Sequence, residues 1–358
     1  MSANEFFADI KGNFGFGYMR LPMVGNEVDN EEATRMVDEF MKHGFNYFDT
    51  AHGYIDGKSE LSIKECLTKR YPRDSYILTN KLTDNFFNCE EDIRETLNAQ
   101  LEACGVQYFD FYLMHAQHSG NYDKYKKCRA YETVLEFKKE GKVRHLGISF
   151  HDSAEFLDKI LTENPEIEVV QIQFNYLDYE DPVNQSRLCY EVCRKHNKPV
   201  IVMEPVRGGS LVKIPKEGRQ LMVSMGKESA ASFAIRYAAS FPGVMMVLSG
   251  MSNMEQMLDN LNNMENFVPL TDEEKNTLYK VAEIIKEQKQ IPCTACRYCV
   301  KDCPMEIHIP ELFKAYNENI VYESSKASNC IKCGKCEEVC PQHLEIRKFL
   351  EQVTEEME

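Results

Sequence analysis

No stretch of this 358-residue sequence stays apolar for the roughly 20 residues that cross a bilayer, which excludes a helical membrane span. The best candidate, Met245-Met246-Val247-Leu248, ends at once on Ser249-Gly250. No basic segment leading into an apolar run is legible at the start, so a soluble, cytoplasmic chain is expected. Positive charge is also scarce: 42 Lys and Arg stand against 57 Asp and Glu, a formal net charge of −15. Neutralising phosphates requires a clustered basic surface, so nucleic acid is excluded as a partner. A complete glycine-rich strand-to-helix turn is missing as well. The nearest match, Gly15-Phe16-Gly17-Tyr18-Met19-Arg20, lacks the third glycine and runs into a strand-like stretch, which argues against a doubly wound dinucleotide fold.

What is present is a hydrophobic share of 43%, enough for a sizeable core, arranged as alternating strand and helix signals. Strands are expected at Gly17–Leu21, Asn46–Asp49, Ser75–Thr79, Phe109–Met114, Val143–Ser149, Val169–Phe174, Pro199–Met203 and Val244–Leu248. Helical patterns separate them, among them Glu31–His43, Cys89–Cys104, Lys124–Glu140, Asn184–His196 and Glu228–Ser240. Gly44, Gly105 and Gly141 follow three of these, where a helix stop is expected. Such alternation implies parallel strands joined by crossovers, and eight units in about 250 residues meet the requirement of a (β/α)8 TIM barrel. The alternation does not resume after a Lys-, Glu- and Gln-rich helix that ends at Ile291-Pro292. The expected division is a barrel over 1–290 and a second, smaller domain over 291–358.

That second domain holds eight of the fourteen cysteines. Residues 293–304 read CTACRYCVKDCP and residues 330–341 read CIKCGKCEEVCP. Both fit C-x2-C-x2-C-x3-C-P, the bacterial iron–sulfur run in which the fourth cysteine serves the other cluster. Cys293, Cys296, Cys299 and Cys340 are therefore assigned to one [4Fe-4S] cluster, and Cys330, Cys333, Cys336 and Cys303 to the other. Zinc would need only paired CxxC units without the trailing Cys-Pro. Disulfides conflict with the reducing compartment expected without an export signal. The segment resembles a two-cluster ferredoxin module, small and α+β. The other six cysteines are scattered, and Cys66 and Cys104 sit within helical patterns as small buried hydrophobes.

In a barrel, reacting groups belong at the carboxyl ends of the strands. Those positions carry Asp49, Lys81 and His115, with Tyr54 in the loop beyond Asp49. Each residue alone has an ordinary explanation as a turn, packing or solvated side chain; their placement on three neighbouring strand ends is what singles them out. Together they suit proton transfer to an oxygen. A free phenol has a pKa of ~10, and Lys81 held charged by Asp49 is expected to lower it. His115 is placed to hydrogen-bond a carbonyl oxygen.

The stretches GFGYMRLP, NYFDTAHGY, LTNK, YLMH, LGIS and SGMSNMEQMLDNL resemble, in order and spacing, the aldo-keto reductase superfamily. With the cysteine segment, the chain is similar to the bacterial branch that carries a C-terminal ferredoxin domain. The resemblance implies a catalytic tetrad of Asp49, Tyr54, Lys81 and His115, with Tyr54 protonating the carbonyl oxygen as a nicotinamide delivers hydride. It also implies cofactor contacts at Met19, Arg20, Ser149, Gln171, Glu204, Val206, Gly208, Gly209, Leu211, Gly250, Ser252, Gln256 and Asn260. Departures are visible: Phe150 replaces the usual asparagine after Ser149, and Met203 replaces the tyrosine that stacks on the nicotinamide. Gly250 and Gln256 occupy the positions whose basic residues grip a 2′-phosphate, so the choice between NADH and NADPH stays open with NADH favoured.

The expected activity is interconversion of a small carbonyl and its alcohol, with the clusters structural or serving a redox partner protein. The alternative is an electron-transfer enzyme whose clusters take part in turnover. Nicotinamide passes two electrons together and a cluster one at a time, so direct coupling needs a splitter such as a flavin. The loops at Arg207-Gly208-Gly209 and Ser249–Ser252 lie where barrels bind FMN phosphate. A pure binding protein on this scaffold would be expected to have lost part of the tetrad.

Overall fold

Eight parallel strands close on themselves: β1 (Phe14–Gly17), β2 (Tyr47–Asp49), β3 (Ile77–Leu82), β4 (Phe109–Gln117), β5 (Val143–Phe150), β6 (Val169–Gln173), β7 (Val200–Met203) and β8 (Val244–Gly250). Each pairs with its neighbours in sequence, and β1 pairs with β8 to complete the barrel. The computed structural model describes residues 7–226, 229–288, 290–301, 303–320 and 322–358. Residues 1–6 of the expected first domain, and Glu228 at the head of one expected helix, lie outside them; that helix is seen over Ala230–Ala239. Among the described residues no helix is long and apolar enough to cross a membrane.

The strands read as near-continuous apolar runs because helices cover one face and the barrel interior the other. Tyr47, Phe111, Leu113, Val169, Ile201, Met246 and Leu248 form the packed interior, and Met245 joins them as core. The first strand lies earlier than the expected Gly17–Leu21. Phe14 and Phe16 alternate with glycines and turn their rings onto Phe40 of the helix Asn30–Lys42, leaving residues 18–21 as loop. Strands β3 and β4 run past their expected ends and take in Lys81 and His115. The expected helix Lys124–Glu140 is two helices, Tyr122–Lys127 and Ala130–Lys139, broken where Arg129 adopts a left-handed φ of 56°.

The chain packs as two compact units. One holds the barrel and runs to Pro205, resuming after Gly226 to end at Lys275; the other comprises Val206–Gly226 with Asn276–Glu358. In the second unit, Ile291, Ile307, Ile309, Leu312, Phe313, Ile346 and Leu350 form a core with several of the cysteines. The α+β expectation narrows here. Secondary structure among the described residues after 290 is helical, chiefly Ile309–Glu318 and Ile346–Met357. Gly208 packs tightly within this unit: its φ is 62°, and a Cβ there would stand 2.2 Å from the carbonyl oxygen of Thr294. Only glycine fits both demands.

Candidate active site and cluster cavities

Parallel register brings the polar strand ends together. Asp49, the last residue of β2, pairs with Thr79 of β3, and Lys81 two residues on pairs with Leu113 of β4. Tyr54 opens the single turn Tyr54–Gly57, whose Ile55 and Asp56 both have φ of 53°. The Lys81 ammonium is fully buried and donates to Asp49 Oδ1 at 2.6 Å, Thr50 O at 2.8 Å and Tyr54 Oη at 3.2 Å. Those three bonds use all three of its donors. Because the tyrosine oxygen accepts from Lys81, its own O–H is left to point elsewhere. Asp49 Oδ2 accepts from Gln171 Nε2 at 3.2 Å. The Tyr54 and His115 rings meet edge to face with centroids 5.8 Å apart.

Electrostatics here run against one sequence expectation. Burial pushes the Tyr54 phenol well above its ordinary value, and the carboxylates of Asp49 and Glu204 push the same way. The expected lowering by Lys81 does not prevail, because desolvation of a phenolate outweighs one ammonium that Asp49 already neutralises. Tyr54 is thus held as a neutral acid. Burial presses Asp49 up and Lys81 down, and their 2.6 Å contact opposes both shifts. His115 is lowered well below its ordinary value by burial, then by Lys81 and His151, so it is a neutral imidazole.

Two contacts were not read from the sequence. Thr83 Oγ1 stands 2.6 Å from His115 Nδ1. With the hydroxyl donating, the ring proton resides on Nε2, the nitrogen left to donate to a ligand. The available signal was period two: Thr83 follows Lys81 by two residues, so both belong to one strand face. The second is the bond from Lys81 to the Thr50 carbonyl, for which a sequence carries no signal.

The expected cofactor positions divide by element. Ser149 and Gln171 are register partners on β5 and β6, both buried. Ser149 Oγ accepts from the Ala116 N–H at 2.8 Å, at a bulge in β4 where Ala116 has φ of 49°. Glu204, just beyond β7, has φ of 57°, and its carbonyl accepts from Asn175 Nδ2 at 3.1 Å. Met19 and Arg20 follow β1, and Gly250 ends β8 beside it. Ser252 N–H donates to Gln256 Oε1 at 2.8 Å, and buried Asn260 donates to Ser249 Oγ at 3.2 Å. Val206, Gly208, Gly209 and Leu211 lie in the segment that packs with the second unit, with Leu211 buried.

Two cavities in the second unit gather the eight clustered cysteines in crossed sets. Cys293, Cys296, Cys299 and Cys340 line one; Cys303, Cys330, Cys333 and Cys336 line the other. Each encloses about 310 Å³, open mouth included, and the remaining walls are mostly apolar. The cysteine loops repeat each other: the Ala295 N–H donates to Cys293 Sγ and the Lys332 N–H to Cys330 Sγ, both at 3.4 Å. Ala295 and Arg297 on one loop, and Lys332 and Gly334 on the other, take left-handed φ. Among the described residues no three His, Cys, Asp or Glu side chains come close enough to share one metal ion. Four thiols spaced around a cavity instead of on one point suit a many-atom cluster better than a single zinc. The scattered cysteines form no disulfide; Cys66 and Cys104 are fully buried and Cys89 is exposed.

Residues 13–283, well over half of the chain, match the model of the Aldo/keto reductase family. The chain belongs to the aldo/keto reductase family. It is an enzyme, an oxidoreductase, and residues 292–344 match the 4Fe-4S dicluster domain. Among curated relatives, the NADH-specific methylglyoxal reductase of Escherichia coli (strain K12) is 26% identical over 208 residues, 53% of this chain and 61% of that protein. Of solved structures, the holo form of an aldo-keto reductase from Bacillus halodurans superposes with a TM-score of 0.62 at 25% identity, covering 75% of this chain and 91% of that one. An aldo-keto reductase from Klebsiella pneumoniae in complex with NADPH gives a TM-score of 0.62 at 17% identity, over 75% and 90% of the chains, and shows the shared fold.

Proposed function

We propose that this aldo/keto reductase reduces a small aldehyde or ketone, and oxidises the corresponding alcohol, with a nicotinamide cofactor and Tyr54 as the general acid and base. The observation that carries this reading is the hydrogen-bonded chain from buried Asp49 and Lys81 to half-buried Tyr54, with neutral His115 at its edge. Bound NADH or NADPH supplies a hydride to the carbonyl carbon. The protein's share is the proton: Tyr54, kept neutral by burial, gives its O–H proton to the oxygen as charge develops there. Lys81 donates to the tyrosine oxygen throughout, so the phenolate left behind gains a charged hydrogen bond. His115, with its proton on Nε2, orients the carbonyl. Ser149, Gln171 and the loops ending β1, β7 and β8 would hold the cofactor, and the four-thiol cavities would hold two [4Fe-4S] clusters that exchange single electrons. Functional modules over 1–290 and 291–358, and a cytoplasmic location, complete the proposal.

The test is Tyr54→Phe, assayed with NADH, NADPH and a panel of small aldehydes. Reduction should fall by roughly 100- to 10,000-fold, the usual loss for a positioned acid, while nucleotide binding followed by fluorescence persists. Undiminished reduction by the variant would move the acid elsewhere.

A second reading has the clusters exchange electrons during turnover. It is favoured by the cavity of Cys303, Cys330, Cys333 and Cys336, where Cys333 is exposed and the lining residues Met305 and Ile331 are 42% and 59% exposed. That opening suits an outside redox partner; a barrel-bound flavin is the other splitter. Anaerobic titration with NADH and NADPH decides it. Bleaching of the broad visible absorption supports electron exchange, and an unchanged spectrum during aldehyde reduction leaves the barrel working alone.

A further inference from the structure

Tyr54 sits on a loop that leaves β2 at Thr50 and ends in the short helix Lys58–Ile63. Three successive residues of it, Ile55, Asp56 and Gly57, have left-handed φ of 53°, 53° and 84°. That conformation is costly for a β-branched side chain and persists only where surrounding contacts impose it. Two contacts close the loop across its base. Thr50 Oγ1 lies 2.7 Å from Ser59 Oγ, and His52 Nδ1 lies 2.7 Å from Glu60 Oε2. A carboxylate only accepts, so the imidazole donates. The same bond raises the His52 pKa above its ordinary value.

Glu60 is buried, and its second oxygen reaches away from the loop. Oε1 accepts at 2.7 Å from Nδ2 of Asn80, the residue before Lys81 on β3. Asn80 Oδ1 in turn accepts from the Lys81 N–H at 2.8 Å and from Gln100 Nε2 at 3.2 Å. Gln100, on the helix Glu90–Cys104, also donates to the Lys81 carbonyl oxygen at 2.9 Å. Successive strand residues face opposite ways, so Asn80 meets the covering helices while Lys81 faces the other side. Glu60 is thus joined to the outer face of β3, and the Lys81 ammonium meets Tyr54 from the inner one.

Resting on the reading that Tyr54 is the general acid, we propose that Glu60 is a positioning residue for it: one buried carboxylate clasps the Tyr54 loop to the strand that carries Lys81, and so fixes the distance across which Lys81 donates to the phenol. Without the clasp the left-handed turn relaxes and the phenol moves. A displacement of about 1 Å at a reacting group costs about 100-fold in rate. Glu60 acts through His52 and Asn80, so its loss reaches the proton transfer and not substrate binding.

The experiment measures kcat, KM and the solvent isotope effect of aldehyde reduction on the full chain and on Glu60→Ala, Glu60→Gln, His52→Ala and Tyr54→Phe. Glu60→Ala should lower kcat by about 10- to 100-fold and change KM by less than about twofold. Its solvent isotope effect should rise above that of the wild type, because proton transfer becomes the slow step. Glu60→Gln, which still accepts from Asn80, should lose about fivefold or less. His52→Ala should show part of the loss, and added to Glu60→Ala it should lower kcat no further, since the shared contact is already gone. Full kcat in Glu60→Ala overturns the proposal. A fall in kcat with an unchanged isotope effect also overturns it, being what a smaller folded fraction produces. Should Glu60→Ala not fold, His52→Ala, at a partly exposed residue, decides by the same two readings. If Tyr54→Phe keeps full reduction, the general-acid reading itself fails, a result distinct from the others.

Discussion

The hydroxyl of Thr83 lies 2.6 Å from Nδ1 of His115, and when it donates there the neutral imidazole carries its proton on Nε2. Neither residue is near the other in sequence, but Lys81 and Leu113 are register partners, which places the two a further step along adjacent strands. Under the proposed function, Thr83 would be a positioning residue for an Nε2–H directed at the carbonyl. Thr83→Val should lower kcat by about tenfold, the loss of one neutral hydrogen bond, and Thr83→Ser should restore it. Nitrogen-15 NMR of the histidines should show mixed tautomers at His115 in the valine variant only. An unaltered spectrum would remove the assigned role.

Protonation of His115 links pH to stability. Its folded pKa is depressed below the ordinary 6.5, so between the two values the unfolded chain binds more protons than the folded one. Stability is then fully present above the unfolded value and is lost as pH falls below it. Urea midpoints should decline from pH 7 to pH 5 in the wild type, and less steeply in His115→Asn. The rate of carbonyl reduction should show no break near 6.5 from this histidine, because it stays neutral there.

Asp49 and Lys81 are both buried and bonded at 2.6 Å. Asp49→Asn leaves the ammonium without its countercharge and should destabilise the barrel by about 3–5 kcal/mol. Asp49→Asn with Lys81→Met should recover part of that stability without recovering activity. Denaturant unfolding of the two variants is the measurement, and equal stability of both would mean the ion pair contributes nothing beyond packing.

The proposal that the two cysteine sets each hold a cluster has a specific consequence. Cys340→Ser removes a thiol from the cavity that holds Cys293, and Cys303→Ser from the cavity that holds Cys330. Each variant should lose cluster signal from the opposite motif's loop, with iron content falling from about eight to about four atoms per chain. Loss confined to the mutated motif's own loop would show uncrossed sets.

Much of this fold is legible in the sequence. The alternation of strands and helices announces the barrel, since backbone preference and apolar period are local properties of the chain. That Asp49, Tyr54, Lys81 and His115 would lie together could be read because a parallel barrel sends every strand's carboxyl end to one face. The crossed cysteine sets follow from spacing alone. The first strand was misplaced because the Phe-Gly alternation of Phe14–Gly17 resembles a loop until Phe40 is known to cover it.

What residue order by itself determined, then, is the identity and sequence spacing of the candidate site residues, because these are covalent facts. Tertiary structure alone decided how those groups are tuned. Thr83 meets His115 and Arg20 packs against Gly250 through the register of neighbouring strands, and Gln171 meets Asp49 across the closed barrel; both join residues far apart in the chain. The upward shift of Tyr54 likewise needed the fold, because desolvation depends on everything packed around the phenol, and no neighbour in sequence reports it.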